Sequence, residues 1–167
     1  DDKDGQIARG GQVDAFLMDM LMQHPFLAME PPKSTGREEF GRKFTEQLFY
    51  KGVSRGVKPS ELIATATVFT ARALARSLEN FVLSRHQVDE IIVSGGGALN
   101  PFLMEKLSAE MGGRELRTSD QYGVPVKGKE AIAFAILANE TIRLAPSNLP
   151  SATGASGYRI LGKITPP

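Results

Sequence analysis

A chain of 167 residues is long enough to bury a core of its own, and 41% apolar with 23% charged residues is the composition of a globular protein. Twenty basic against nineteen acidic side chains leave a net charge of +1, which recommends neither nucleic acid nor an acidic membrane surface as partner. Without cysteine there is neither a disulfide nor a thiolate metal site, in keeping with an intracellular protein, and no apolar run reaches the roughly 18 residues that span a bilayer.

The chain opens Asp1-Asp2-Lys3-Asp4-Gly5, with neither a Met nor a strand, as expected of a piece of a longer protein. Residues 1–11 read as a polar, mobile leading segment. Val13, Phe16, Leu17, Met20 and Leu21 then recur at helical spacing, so residues 13–22 form an amphipathic helix. His24-Pro25 ends it, because the residue before a proline avoids the helical region. His24 reads as a helix-end residue rather than a catalyst. Neither histidine has metal-ligand spacing, and no metal is assigned.

Pro31-Pro32 stiffen the approach to Lys33-Ser34-Thr35-Gly36-Arg37, and a helix is expected from about residue 37 to 49. Ser34 or Thr35 is placed to cap it, and Thr35-x-x-Glu38 is a near capping box. The same loop gathers Lys33, Arg37 and two hydroxyls, a set suited to a sugar or phosphate oxygen, Arg as a fork and Lys as a point charge. The two readings are not exclusive. Residues 51–59 read as a polar linker with turn residues, and Ser60 as the cap of a long helix reaching about Arg85.

Ile91-Ile92-Val93-Ser94-Gly95-Gly96-Gly97-Ala98-Leu99-Asn100-Pro101 is the most informative stretch. A β-branched run reads as a buried strand, and the three glycines behind it let a flat ligand lie directly on the backbone. Asn100 is a good N-cap and Pro101 a good first helical residue, so a helix N-terminus follows, and Phe102, Leu103, Leu107 and Met111 pack it on the sheet. The bland reading is a tight turn that binds nothing. Each glycine costs about 0.5–1 kcal/mol relative to Ala, so three in a row favour a nucleotide or anion site.

Gly112-Gly113 stop that helix, and residues 115–118 make a second strand, which completes a βαβ unit. Ser119 to Gly123 is a loop. Residues 130–143 form the last helix, apolar on nearly all sides and therefore buried in its parent protein, with Glu130 in its first turn, where the helix dipole favours a carboxylate. Residues 158–164 read as a final strand. Such helices usually cover a sheet of five or six strands, so the missing strands are expected before Asp1.

These residues resemble the anhydro-N-acetylmuramic acid kinase family. Its carboxyl-terminal half carries Pro-Lys-Ser-Thr-Gly-Arg-Glu-x-Phe, found at Pro32 to Phe40; Ala-Thr-x-Thr with Thr-Ala following, at Ala64 to Thr67 and Thr70-Ala71; and Gly-Gly-Gly-Ala-x-Asn, at Gly95 to Asn100. It also carries Lys-Glu-Ala-x-Ala-Phe-Ala-x-Leu-Ala-Asn-Glu, at Lys129 to Glu140, and Asn-Leu-Pro-Ser-x-Thr-Gly-Ala, at Asn148 to Ala155. The resemblance covers essentially the whole chain. It implies an α/β fold, part of the second ribonuclease-H-like lobe of an actin-like ATPase and sugar kinase fold. Residues 1–167 would be a single partial domain, the adenosine-side lobe of a two-lobe kinase.

The implied reaction is hydrolysis and phosphorylation of 1,6-anhydro-N-acetylmuramic acid to N-acetylmuramic acid 6-phosphate, a step of peptidoglycan amino-sugar recycling, with ATP and Mg²⁺. Water attacks the anomeric carbon, and the freed O6 takes the γ-phosphoryl group of ATP. Gly95, Gly96, Gly97 and Asn100 match the adenosine-side motif. Lys33, Ser34, Thr35, Arg37 and Glu130 match motifs expected to face the cleft. Gly-Thr-Ser-x-Asp-Gly and Asp-Thr-Gly-Pro-Gly-Asn, the family's two phosphate loops, do not occur in these 167 residues. The general base belongs to the second of them and is expected upstream of Asp1, so no catalytic residue is assigned here and the chain alone is expected to be inactive. Leu99 stands where members often have His. The implied partners are the missing N-terminal half and a second copy, in the cytoplasm, with no nucleic acid and no membrane.

Two other classes fit less of the chain. A dinucleotide-binding domain has the same strand, turn, helix and strand order, with Asp120 as the ribose acid, but Asn100 stands where its last glycine belongs. A non-catalytic remnant would bind nucleotide, or only a sister subunit.

Overall fold

The computed structural model describes residues 2–165. At its centre is α5 (Pro59–Leu78), which buries Leu62, Ala64, Thr65, Val68, Phe69, Ala71 and Ala75 along its length. Its start differs from the expected Ser60 cap. Pro59 takes the first helical position, where no N–H is needed, Lys58 is the N-cap residue, and the Glu61 carboxylate accepts the Lys58 N–H at 2.9 Å. The helix runs straight into a π-helical turn, Glu79–Leu83.

Two cores flank α5. On one side pack α1 (Gln6–Arg9), α2 (Ala15–Met22) and α4 (Arg42–Ser54), which bring Ala8, Leu17, Met18, Leu21 and Leu48 against Leu62, Val68 and Phe69. Each buried leucine of this cluster contributes about 1.5–3 kcal/mol of transfer free energy. On the other side, Ala71 and Ala75 meet Leu107 and Met111 of the segment that begins with α6 (Pro101–Glu110). That cluster extends to Ile91 and Val93 of β1 (Ile91–Val93) and Leu116 of β2 (Leu116–Thr118). Phe102, at the start of α6, belongs to the first core, so α6 joins the two.

β1 and β2 are parallel, with Ile91 opposite Leu116, Ile92 opposite Arg117 and Val93 opposite Thr118. With α6 between them they form the expected βαβ unit. Among the described residues the sheet has these two strands.

Several expectations are corrected. Residues 3–9 are folded rather than a polar leader: Lys3–Gly5 and α1 are helical turns, and Ala8 is fully buried. The Asp2 carboxylate holds them, accepting the Ile7 N–H at 2.7 Å and the Ala8 N–H at 3.0 Å. Arg9 then reaches Glu105 of α6 at 2.6 Å, and hydrogen bonds from Lys106 and Arg9 hold the Glu105 carboxyl below the usual carboxylate range. Gly11 lies so close to the start of α5 that a Cβ there would strike the Ser60 carbonyl. Thr65, with no exposed surface, ties α2 to α5 by accepting the Asp14 N–H at 2.9 Å and donating to the Glu61 carbonyl at 2.7 Å.

The helix expected over 37–49 is two helices, α3 (Arg37–Phe40) and α4, broken at Gly41, where ψ is −144°. α4 runs on through part of the expected linker to Ser54. Neither Ser34 nor Thr35 caps α3. The N-cap is Gly36, without a side-chain hydrogen bond, because Thr35 lies one residue too early. The last long helix is α7 (Lys129–Ile142). It buries no residue in this chain, and Phe134 is 71% exposed. After the short α8 (Pro150–Thr153), residues 158–164 are irregular rather than a strand. Their backbone is taken up by Ser147, Asn148 and Thr141 instead of a neighbouring strand: Arg159 N–H donates to Asn148 Oδ1 at 2.5 Å, and Leu161 C=O accepts from Thr141 Oγ1 at 2.5 Å.

Candidate functional site

The site begins where β1 ends. Ser94 leads into Gly95, whose φ of +89° and ψ of 177° suit glycine alone, and Gly96–Leu99 form a single tight helical turn. Asn100 then starts α6 as its N-cap, its Oδ1 accepting the N–H groups of Phe102 at 3.0 Å and Leu103 at 3.1 Å, with Pro101 behind it. This is the strand, glycine turn and capped helix expected from sequence, except that the strand is not buried: Ile92 is 49% exposed and Ile91 and Val93 are only partly covered, because β1 has a single neighbouring strand among the described residues.

Its outer surface is open. A Cβ built at Gly95 or Gly96 meets nothing within 4 Å, whereas one at Gly97 meets Leu103 at 3.2 Å. The Leu103 side chain and Asn100 pass from the turn into a groove of about 470 Å³, walled by Leu48 and Phe49 of α4 and by Leu62, Ile63 and Ala66 of α5. The groove is apolar apart from hydroxyls such as those of Thr67 and Thr70, and these donate back along the helix to Ile63 and Ala66.

A second groove of about 420 Å³ adjoins the first, sharing Thr45, Ala66 and Thr70, and it ends at Thr35. Asn100 and Leu103, which follow the glycine turn, line the first groove and Thr35 lines the second, so the two run together as one trough across α4 and α5, while Gly95, Gly96 and Gly97 line neither. Within the loop the two cations are used differently. Lys33 Nζ donates to the Phe26 carbonyl at 2.9 Å and lies 4.7 Å and 4.6 Å from the ring centres of Phe26 and Phe81. It ties the loop to the body, a cation held between two aromatic faces. Ser34, Thr35 and Arg37 are exposed.

His24 is indeed a helix-end residue, capping the turn Pro25–Ala28 by accepting the Phe26 N–H on Nδ1 at 3.3 Å. Its ring stacks against Phe40 at 4.7 Å, and Nε2 lies 3.6 Å from Glu39 Oε2, a partner that sequence distance had concealed. Among the described residues no group of three or more His, Cys, Asp or Glu could hold a metal ion. Glu130 is exposed in the first turn of α7.

A feature missed in the sequence is how that loop meets the turn. Gly95 N–H donates to the Val126 carbonyl at 3.1 Å. Val126 N–H donates to Asp120 Oδ1 at 3.2 Å, and Thr118 Oγ1 donates to Asp120 Oδ2 at 2.9 Å. Asp120, the acid on which a dinucleotide reading depends, is thus committed through both oxygens to the protein's own loop.

Comparison with known proteins agrees with these motifs. The family model described as anhydro-N-acetylmuramic acid kinase matches residues 1–167. A relative of that name from Bacillus cereus (strain AH820) is 43% identical over 168 residues, covering 99% of this chain and 44% of the relative. One from Francisella tularensis subsp. novicida (strain U112) is 41% identical over 163 residues, covering 98% and 42%. One from Bacillus anthracis is 42% identical over 168 residues, again 99% and 44%. The chain therefore spans less than half the length of the curated relatives it matches.

Proposed function

This chain belongs to the anhydro-N-acetylmuramic acid kinase family, and from that premise we propose that it is the C-terminal, adenosine-side part of an ATP-dependent sugar kinase. The whole protein would convert 1,6-anhydro-N-acetylmuramic acid to N-acetylmuramic acid 6-phosphate, in the cytoplasm, with the rest of the protein and a second copy as partners. The lobe is the second ribonuclease-H-like lobe of an actin-like fold, with α7 set against strands from outside these residues.

One observation carries the reading: a glycine turn at the carboxyl end of a parallel strand, open at Gly95 and Gly96 and followed by Asn100 and Leu103, which line an apolar groove. Ligands in open α/β sheets bind at that end of the strands. Gly95, Gly96 and Gly97 would lie along the adenosine, while Asn100 fixes the N-terminus of α6 and the groove between α4 and α5 takes the purine. A volume of about 470 Å³ lies within the usual range of small-molecule sites. When bound, ATP supplies the γ-phosphoryl group. For Mg²⁺ the described residues offer no cluster of three or more His, Cys, Asp or Glu, and the ion would be held by the ATP phosphates with one or two carboxylates from the rest of the protein.

At the other end of the trough, Ser34, Thr35 and Arg37 would hold a sugar or phosphate oxygen, on a loop that Lys33 clamps from behind. Glu130 would accept a sugar hydroxyl. Arg37→Ala in the full-length protein is expected to lower kcat/KM at least tenfold, a loss of about 1.4 kcal/mol of transition-state stabilisation. The melting temperature should barely move, because Arg37 is exposed. Steady-state kinetics beside a thermal melt check this; unchanged kcat/KM would remove Arg37 from the site.

The reading as a whole is tested by incubating the full-length protein with Mg·ATP and 1,6-anhydro-N-acetylmuramic acid. Release of one ADP per sugar consumed, with a sugar 6-phosphate seen by ³¹P NMR, is the expected result. A folded full-length protein that releases no ADP above the no-sugar control would overturn it.

A further inference from the structure

We infer that Asp120 is the positioning residue of the nucleotide turn: its carboxylate closes a ring of hydrogen bonds that fixes where Gly95 presents its backbone to the ligand. The inference deepens the ATP reading of the glycine turn and rests on it.

The ring can be followed atom by atom. Val93, the last residue of β1, is in register with Thr118, the last of β2. Beyond these partners the two chains separate. From β1 the chain enters Gly95, whose N–H donates to the Val126 carbonyl at 3.1 Å. From β2 it makes a turn over Ser119–Tyr122 and returns, through Gly123 at a φ of 77°, towards Val126. The returning arm is fastened to the outgoing one by the Asp120 side chain, which takes the Val126 N–H at 3.2 Å on one oxygen and the Thr118 hydroxyl at 2.9 Å on the other. The ring is closed: β1, Gly95, Val126, Asp120, Thr118 and back to β1.

Its backbone links do not replace the carboxylate. Gly123 N–H to Asp120 C=O at 3.1 Å and Val124 N–H to Ser119 C=O at 3.0 Å set the turn itself, and Gly128 N–H to Pro125 C=O at 2.7 Å sets the next one. Between the two turns Val126 is buried, and its N–H and carbonyl link the Asp120 carboxylate to the Gly95 N–H. A residue with no Cβ and a φ of +89° has no side chain with which to fix itself, so its position is set by what its N–H meets. What the role needs is an acceptor oxygen at that place and a second group to hold Thr118, which the two oxygens of Asp120 supply.

The geometry separates this role from two others. A carboxylate that touched the ribose would discriminate between ATP and 3′-deoxy-ATP. A carboxylate that acted by its charge on the phosphates would lose its effect when replaced by Asn, whereas Asn retains an oxygen for the Val126 N–H and an amide the Thr118 hydroxyl can accept.

The test uses the full-length kinase and calorimetric ATP titration, with KM values for ATP and sugar read separately. Asp120→Ala is expected to weaken ATP binding about five- to thirtyfold and raise KM for ATP equally, with the sugar KM unchanged and the same factor for 3′-deoxy-ATP. Asp120→Asn should restore affinity to within about threefold. Should Asp120→Ala fail to fold, Thr118→Val, which removes one arm of the ring, is read in its place and is expected to weaken ATP two- to fivefold. ATP affinity unchanged in a folded Asp120→Ala protein, or no rescue by Asn, overturns the inference. So does a loss confined to nucleotides bearing the 3′-hydroxyl. Gly96→Val measured alongside keeps the two readings apart: if it weakens ATP while Asp120→Ala does not, the positioning role falls and the nucleotide turn stands.

Discussion

Gly96→Val in the full-length protein is expected to raise the ATP dissociation constant at least tenfold, about 1.4 kcal/mol, while the protein remains folded. The position is chosen because the structure separates the two effects there. A Cβ at Gly96 meets no atom within 4 Å, its φ lies outside the left-handed region, and the residue is exposed, so the substitution should cost the fold no more than an ordinary surface change of about 0.5 kcal/mol. Gly95 would confuse the experiment, because its φ of +89° strains any side chain, and Gly97 would press on Leu103. At Gly96 a branched side chain would stand where the proposed ligand lies on the turn. Calorimetric titration beside a thermal melt decides the matter. A normally folded variant with wild-type ATP affinity would take the nucleotide off this turn.

What could be read in the sequence was whatever local chemistry settles. Ile91 to Val93 followed by glycines, Asn100 and Pro101 specify strand, turn and capped helix within a dozen residues, and the structure reproduces each of them. The parallel pairing with residues 116–118 followed, because a strand, one helix and a strand leave little other topology. What escaped depends on contacts between distant residues. The leading segment looked polar because Asp2 is charged, yet that charge is what satisfies two N–H groups and lets Ala8 be buried against α5. Lys33 looked like a cleft cation, and only the fold brings Phe81 to it. Asp120 is an ordinary loop acid until Val126 and Gly95 are seen beside it. The expected final strand failed for the same reason: a strand also needs a neighbour to pair with, and residues 158–164 have none among the described residues.

The second large effect concerns the chain by itself. These 167 residues, purified alone, are expected to release ADP from Mg·ATP and 1,6-anhydro-N-acetylmuramic acid no faster than buffer. Phosphoryl transfer is catalysed by holding phosphates, attacking group and charge-neutralising donors in one geometry, and neither phosphate-loop motif of the family occurs in the sequence. The acids near the start of the chain do not fill the gap. Both oxygens of Asp2 are occupied by the N–H groups of Ile7 and Ala8, so it is a structural cap and not a free base. α7 argues in the same direction: Phe134, Ile136 and Ile142 are 71%, 57% and 73% exposed on different sides of one helix, with Leu144 at 68% just beyond it. Large apolar side chains this exposed around one helix favour association, so the isolated chain should self-associate in a concentration-dependent way. Sedimentation velocity across a hundredfold range of concentration, run beside a coupled ADP assay, reads both halves of the expectation. Turnover by the isolated chain at about 1–100 s⁻¹, the ordinary range for kinases, would mean that the catalytic groups lie within these residues after all.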